Sequence, residues 1–362
     1  MRRRGRADEQ GLATSASGVG LRAGVKAALM RWVLQKRRGL QVDSRPSARD
    51  EATHEWDGRR RFAEDYTFAA VQDELALLVR LEWLAGRDAH RLWVVVLRAD
   101  GTAWRLDQGD DFVPGGVGDR WRVGGMTLDC LRPHREWSLR YHGRVVDQRG
   151  RAARVEIDAT FTSELDPYVP GVDDDPDLIA RRLGEAQWDA ALVRMVRRAT
   201  QRGYVQVGGL AGTLALGDEL VPIRADTLRQ HTWGVRDWGA TRRAEQWFVA
   251  WPDGARSWVH RAEFPAFTLE GGFVLDGSRA APVSSVAIDS SEPEPGVPTR
   301  ASVAVERTPA GPRLAFTTET RAQVTFPVDG RGALSVGLVR VSDGGIGLWA
   351  AQRRTLPWPA AR

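Results

Sequence analysis

Leu228-Arg229-Gln230-His231-Thr232-Trp233-Gly234-Val235-Arg236-Asp237-Trp238-Gly239 gathers two Trp, two Arg, a His and an Asp into a segment that otherwise alternates like a β-strand. A strand that only fills a core is built from Val, Ile and Leu, because a buried polar group without a partner costs on the order of 1–3 kcal/mol. Alternation sets Arg229, His231 and Trp233 on one face and Gln230 and Thr232 on the other. Gly234 offers a bulge or bend that re-aims Arg236, Asp237 and Trp238. Two readings stand. The rings, imidazole and guanidinium groups grip something partly apolar, or they form a satisfied network that closes a barrel, with Arg229 or Arg236 holding Asp237.

Outward from this stretch the dominant signal is short strands separated by turn residues. Tyr204-Val205-Gln206-Val207, Gly212 to Leu216 and Glu219 to Arg224 precede it. Glu245 to Trp251, the Pro252-Asp253-Gly254 turn and Arg256 to Arg261 follow as a hairpin. Nearer the amino terminus, Leu75 to Leu84, Arg91 to Leu97 and Thr102 to Leu106 make a meander with hairpin turns between them. Strands at this spacing predict an antiparallel sandwich or barrel. Pro176 to Thr200 breaks the pattern. Ile179, Leu183, Ala186, Ala190 and Val193 step at helical spacing, Asp173-Asp174-Asp175 stands at the start, and Arg194, Arg197 and Arg198 at the end complement the dipole. The acidic triplet lacks the ligand spacing of a calcium loop and reads as capping and solvation.

The 362 residues are enough for two domains. A hydrophobic fraction of 42% and 15 Trp argue against disorder. The single Cys, Cys130, excludes an intrachain disulfide framework and reads as a small buried hydrophobe. The net charge of +5 is concentrated in an amino-terminal arm, so the near-neutral body is not that of a nucleic-acid binder. In that arm Leu21, Val25, Leu29, Trp32 and Val33 recur at helical spacing among Lys26, Arg31, Lys36, Arg37 and Arg38. This basic amphipathic helix can lie peripherally on an anionic membrane surface or dock on the body. Its apolar run is too short to span a bilayer and lacks the pattern of a secretory signal, which predicts a cytoplasmic protein.

No phosphate-cradling glycine loop, nucleophile elbow or metal-ligand His cluster is legible, so no cofactor or metal is expected. The six His are scattered, and a zinc site would need long-range convergence. The Trp-rich motif, together with Tyr204-Val205-Gln206-Val207-Gly208 and Gly212-Thr213-Leu214, resembles a bacterial family of lipocalin-like proteins carrying an Arg-Asp-His-Ser-Trp-Gly-x-Arg-Asp-Trp signature. Pro133-His134-Arg135-Glu136-Trp137 is similar to that family's amino-terminal half, and the resemblance spans roughly residues 62–349. More distantly, the chain is similar to carotenoid hydratases and two-barrel pericyclases. His231, Trp233, Gly234, Arg236, Asp237 and Trp238 match the signature, and Arg229 takes its leading Arg. Its first Asp falls on Gln230 and its Ser on Thr232. In the hydratases the Asp beside this His is the suspected proton donor, and an amide cannot fill that role.

The resemblance implies a mainly β chain of two lipocalin-like antiparallel β-barrels joined by one helix, with an apolar substrate between or within them. The expected boundaries are a basic extension over 1–60, a first barrel over 61–172, the connecting helix over 173–202 and a second barrel over 203–355. The expected function is binding of a large apolar small molecule such as an isoprenoid, steroid, polyketide or acyl chain. The alternatives are a cofactor-free hydratase, isomerase or cyclase using His231 or Asp237 as acid–base group, and an interaction module recruited by the basic helix. Arg229, Trp233, Arg236, Trp238, Tyr204 and Gln206 are the candidate ligand contacts. His231 and Trp233 are expected inside the carboxy-terminal barrel, beside a pocket shared with the first. Gly234 is expected at a bulge or bend that lets Arg236 pair with a carboxylate, with Asp237 the nearest candidate in sequence.

Overall fold

The computed structural model describes residues 23–32, 45–106, 112–114, 121–189, 201–236, 241–291, 298–307, 313–330 and 332–354. The chain is mainly β, as its strand spacing predicts. Strands β1 (Phe62–Gln72), β2 (Leu75–Leu84), β3 (Ala89–Arg98), β4 (Ala103–Leu106) and β5 (Phe112–Pro114) come first. They are followed by β6 (Arg122–Val123), β7 (Met126–Arg132), β8 (Glu136–Asp147) and β9 (Ala152–Thr162). After helix α2 (Pro176–Glu185) come β10 (Arg202–Leu216) and β11 (Glu219–Val235). Helix α1 spans residues 23–32.

These strands form one antiparallel sheet in the order β4-β3-β2-β1-β11-β10-β9-β8-β7-β6, with β5 beside β3. Trp104–Leu106 of β4 also pair with Val145–Asp147 of β8, which brings distant strands of this path together. The remaining strands are β12 (Arg243–Ala250), β13 (Arg256–Glu263), β14 (Thr268–Asp276), β15 (Arg279–Ser291), β16 (Arg300–Arg307), β17 (Leu314–Val328), β18 (Gly332–Val341) and β19 (Ile346–Arg354). They close in sequence order into an eight-stranded barrel.

Closure leaves this barrel without an exposed strand edge. Leu77, Val79, Val94, Val96, Trp137, Leu139 and Phe161 lie in a core on one face of the first sheet. Trp247, Val249, Val259, Val303 and Trp349 belong to the core of the second barrel. A third core, including Leu78, Trp93, Val95, Val205, Phe248, Phe273 and Phe326, is shared by outward faces of both units. Strands β1 to β3 are therefore buried on both faces. Their near-continuous apolar runs follow from that, since a strand covered on both sides has no polar face to alternate with.

The structure corrects the expected partition at the Trp-rich stretch. Strand β11 pairs with β1 and β10, so His231 and Trp233 belong to the first sheet and not to the carboxy-terminal barrel. Sequence order misled because β10 and β11 return from α2 to fill the gap between β1 and β9. Gly234 keeps its pairing with Ala63 in unbroken register, and its φ of 118° takes up the bend without a bulge. The helix expected to reach Thr200 is interrupted after Glu185, where Ala186 turns extended, and residues 190–200 of that expectation lie outside the described residues. Asp175 caps its start by accepting from Asp177 N and Leu178 N, the role read from the acidic triplet. Cys130 is exposed rather than buried. Its thiol is pushed up to about 11, mainly by desolvation.

Helix α1 docks on α2. Arg31 pairs with Asp177 at 2.7 Å, and Lys26 donates to the Ala186 carbonyl at 3.1 Å. Val25, Leu29 and Trp32 are left exposed. Among the described residues, no helix is long and apolar enough to cross a membrane.

Candidate functional site

The inner face of β11 meets β1, β10 and a short 3-10 turn at Ala48–Glu51. Arg229 is fully buried and stacks its guanidinium over Trp137 at 4.8 Å. It donates to Glu51, to Gln206 Oε1 at 3.0 Å and to the Tyr204 hydroxyl at 3.2 Å. His134 Nδ1 lies 2.7 Å from the other Glu51 oxygen, and Trp137 Nε1 donates to Glu51 at 3.1 Å. Burial alone would raise the Glu51 carboxyl, but the hydrogen bond from His134 and the charge of Arg229 outweigh it and hold it down at about 2. Glu51 is thus an ionised carboxylate inside the protein.

Two residues along β11, His231 Nε2 lies 2.9 Å from Glu64 Oε1, and His231 Nδ1 lies 3.2 Å from the Tyr204 hydroxyl. His54 Nδ1 approaches the same Glu64 oxygen at 3.0 Å, and the His54 backbone N–H donates to Glu64 Oε2 at 2.9 Å. Tyr66 stacks on His231 and Trp233 stacks on His54, each with ring centroids 4.0 Å apart. Burial pushes the His231 imidazolium down by more than Glu64 pulls it up. Glu64 is lowered because its hydrogen bonds from His231 and His54 outweigh its own burial. The pair is a neutral imidazole against a carboxylate. Gly203 lets β10 come this close, since a Cβ there would stand 2.5 Å from the His231 carbonyl oxygen.

The outer face of the same strand carries a second cluster. Arg236 pairs with Asp65 and Glu82, and Thr232 donates to Asp65. Arg80 lies 3.3 Å from Asp65 and 3.4 Å from Glu82. Arg91 lies 3.2 Å from Glu82 and pairs with Asp329 in the turn between β17 and β18. Gln230 donates to Gln246 of β12 at 2.9 Å. Of these contacts, Arg91–Asp329 and Gln230–Gln246 join the first sheet to the second barrel.

A cleft of about 1130 Å³ opens between β10 and strands β14 and β15 of the second barrel. Its apolar lining includes Leu165, Val205, Val207, Phe273, Leu275 and Pro282; His134, Gln206 and Tyr168 line it too, with the charged Arg45, Arg135, Asp166, Asp173 and Arg279.

The structure brings Arg229, His231, Tyr204 and Gln206 together, with Trp233 at their edge. Of the candidate contacts, Gln206 lines this cleft; Arg229, His231, Trp233 and Tyr204 do not. Arg236 pairs with carboxylates as expected, but on the opposite face. Asp237 and Trp238 lie outside the described residues. Sequence reasoning missed Glu51, His54, Glu64 and Asp65. Glu64-Asp65, two acids inside the strand Phe62–Gln72, was the available signal, because a doubly buried strand holds acids only where partners wait. Glu51 and His54 gave none, lying 178 and 177 residues from Arg229 and His231 in sequence.

A family model described as a domain of unknown function, DUF7064, matches residues 47–350. The chain belongs to the DUF7064 family. Among curated proteins, none matches this DUF7064 sequence. Its fold is similar to a crystal structure described as AttH from Nitrosomonas europaea, at 10% identity over 84% of this chain and 95% of that one, with a TM-score of 0.49. It is similar to CghA at 12% identity, over 81% and 87%, with a TM-score of 0.49. It is also similar to kievitone hydratase from Nectria haematococca at 9% identity, over 86% and 93%, with a TM-score of 0.49. At such identities, what those proteins bind or catalyse does not transfer to DUF7064.

Proposed function

We propose that this DUF7064 protein binds an elongated apolar small molecule, of isoprenoid, steroid, polyketide or acyl type, in the cleft between β10 and β14–β15. The first sheet then works as one lipocalin-like barrel and β12–β19 as the second, with the ligand held at their junction. The cleft carries this reading: its volume suits a ligand of drug size or larger, Leu165, Val205, Val207, Phe273, Leu275 and Pro282 offer it an apolar wall, and Arg45, Arg135 and Arg279 stand among them for a polar or anionic end group. Gln206 links it to the buried network, because its amide donates to the His134 and Leu165 carbonyls while its oxygen accepts from Arg229. A cytoplasmic setting fits the lone thiol. The test is titration of intrinsic Trp fluorescence with a panel of fatty acids, isoprenoid alcohols and sterols. Saturable one-to-one binding of at least one class is expected, and a flat response to every class sinks the proposal.

A cofactor-free hydratase, isomerase or cyclase is the second reading, favoured by the Tyr204–His231–Glu64 chain, which sets a neutral imidazole between a phenol and a carboxylate. In it Asp237 is the candidate proton donor, since Gln230 cannot serve. Asp237→Asn would then abolish turnover of the bound molecule at unchanged affinity. Peripheral membrane contact rests on a separate observation, the outward stripe Val25, Leu29 and Trp32 on a helix whose cations hold it to the body. Flotation with vesicles containing anionic lipid should be lost in a Leu29→Asp, Trp32→Asp double variant.

A further inference from the structure

We propose that His54, Glu64 and His231 form a binding site for a divalent transition-metal ion, with Zn²⁺ the simplest occupant. The three residues converge from a loop, β1 and β11, and their donor atoms all lie within 4.8 Å of one another. Metal bonds of about 2.0–2.2 Å at ordinary coordination angles leave donor atoms about 2.9–3.5 Å apart. Glu64 Oε1 already stands 2.9 Å from His231 Nε2 and 3.0 Å from His54 Nδ1. The imidazole pair therefore has at most about 1.9 Å left to close. His54 makes that movement, being the partly exposed member while His231 and Glu64 have no exposure. Its exposure also gives the ion a path in.

The outer contacts are those a metal centre needs. A ligating imidazole turns its other ring nitrogen to an acceptor, which fixes its tautomer and orientation. His231 Nδ1 faces the Tyr204 hydroxyl at 3.2 Å, and His54 Nε2 faces Asp50 Oδ1 at 3.7 Å. The second Glu64 oxygen is tied to the His54 backbone N–H. On metal binding each imidazole moves its proton from the inner nitrogen to the outer one, where an acceptor already stands, and Glu64 supplies the neutralising charge. Tyr66 and Trp233 hold the two rings face-on. Two imidazoles and one carboxylate leave coordination positions open, the donor set of reactive rather than purely structural sites. This site is separate from the cleft.

Tag-free protein stripped with chelator and titrated with Co²⁺ should show visible d–d absorption saturating at one ion per chain, and Zn²⁺ should bleach it. His54→Ala should weaken Co²⁺ binding about 100-fold or more with the far-ultraviolet circular dichroism unchanged. Tyr204→Phe should weaken it about tenfold through the lost outer contact. His142→Ala, a surface imidazole on β8, should change nothing. Absence of the d–d band from the wild-type protein overturns the proposal without any variant. So does undiminished binding in His54→Ala, or an equal loss in His142→Ala.

Discussion

The two faces of β11 bury comparable amounts of polar chemistry and solve the problem in opposite ways. The outer face sets Arg80, Arg91 and Arg236 against Asp65, Glu82 and Asp329, three guanidinium groups to three carboxylates. Guanidinium stays charged at any accessible pH, so the cations here do not switch, and through Arg91 and Asp329 the cluster ties the first sheet to the second barrel. The inner face sets imidazoles, phenols and one Arg against Glu51 and Glu64. Imidazoles exchange tautomers and accept metals, so that face can change state. One strand thus carries a fixed lock on one side and adaptable chemistry on the other.

Breaking the lock should give the largest effect. Arg236→Ala leaves Asp65 and Glu82 short of a countercharge in a buried setting and should destabilise by about 3–5 kcal/mol in urea unfolding. A loss below about 1 kcal/mol would mean the cluster is solvated and joins nothing.

On the inner face, Arg229→Met should cost about 2–4 kcal/mol near neutral pH, less than the lock because His134 still serves Glu51. Its acid behaviour sharpens the contrast. Glu51 is held at about 2 when folded against an ordinary value of 4.5. Its contribution, about 3 kcal/mol, is complete above pH 4.5 and disappears as pH falls toward 2. Removing Arg229 raises the folded value, so the part of acid unfolding owed to Glu51 should move upward. An unchanged acid midpoint in Arg229→Met would show that His134 alone holds the carboxylate.

The smallest effect belongs to Gln230. Its amide donates to Gln246, whose oxygen also accepts from Trp258 Nε1 at 3.1 Å, so Gln230→Ala leaves that acceptor satisfied. A loss of about 1 kcal/mol is expected in the same urea measurement. A loss as large as that of Arg236→Ala would place Gln230 within the lock.

The β character and the two-sided alternation of Arg229, His231 and Trp233 were legible because side-chain period follows directly from backbone geometry. Which unit owned the stretch was not, because β11 pairs with β1, whose Tyr66 lies 165 residues before the His231 opposite it. No local pattern encodes such a pairing. The polar residues of the motif were visible, but their partners were not. Glu51 and His54 sit in a segment that reads as a basic extension, and only the folded chain brings them to Arg229 and His231. Gln206 was singled out beside the motif, and among the described candidate contacts it alone also lines the cleft.

The measurement that bears most directly on the proposed ligand site compares two variants with a fluorescent fatty-acid analogue followed by anisotropy. Ala280→Trp fills the cleft from a half-buried position on its β15 wall. Trp233→Phe alters the inner face at its stacked ring while keeping an aromatic side chain. Wild-type protein and Trp233→Phe should bind the analogue with equal affinity, while Ala280→Trp should lose at least tenfold with its thermal midpoint unchanged. Full binding by Ala280→Trp together with loss in Trp233→Phe would contradict the account and move the ligand to the inner face of β11.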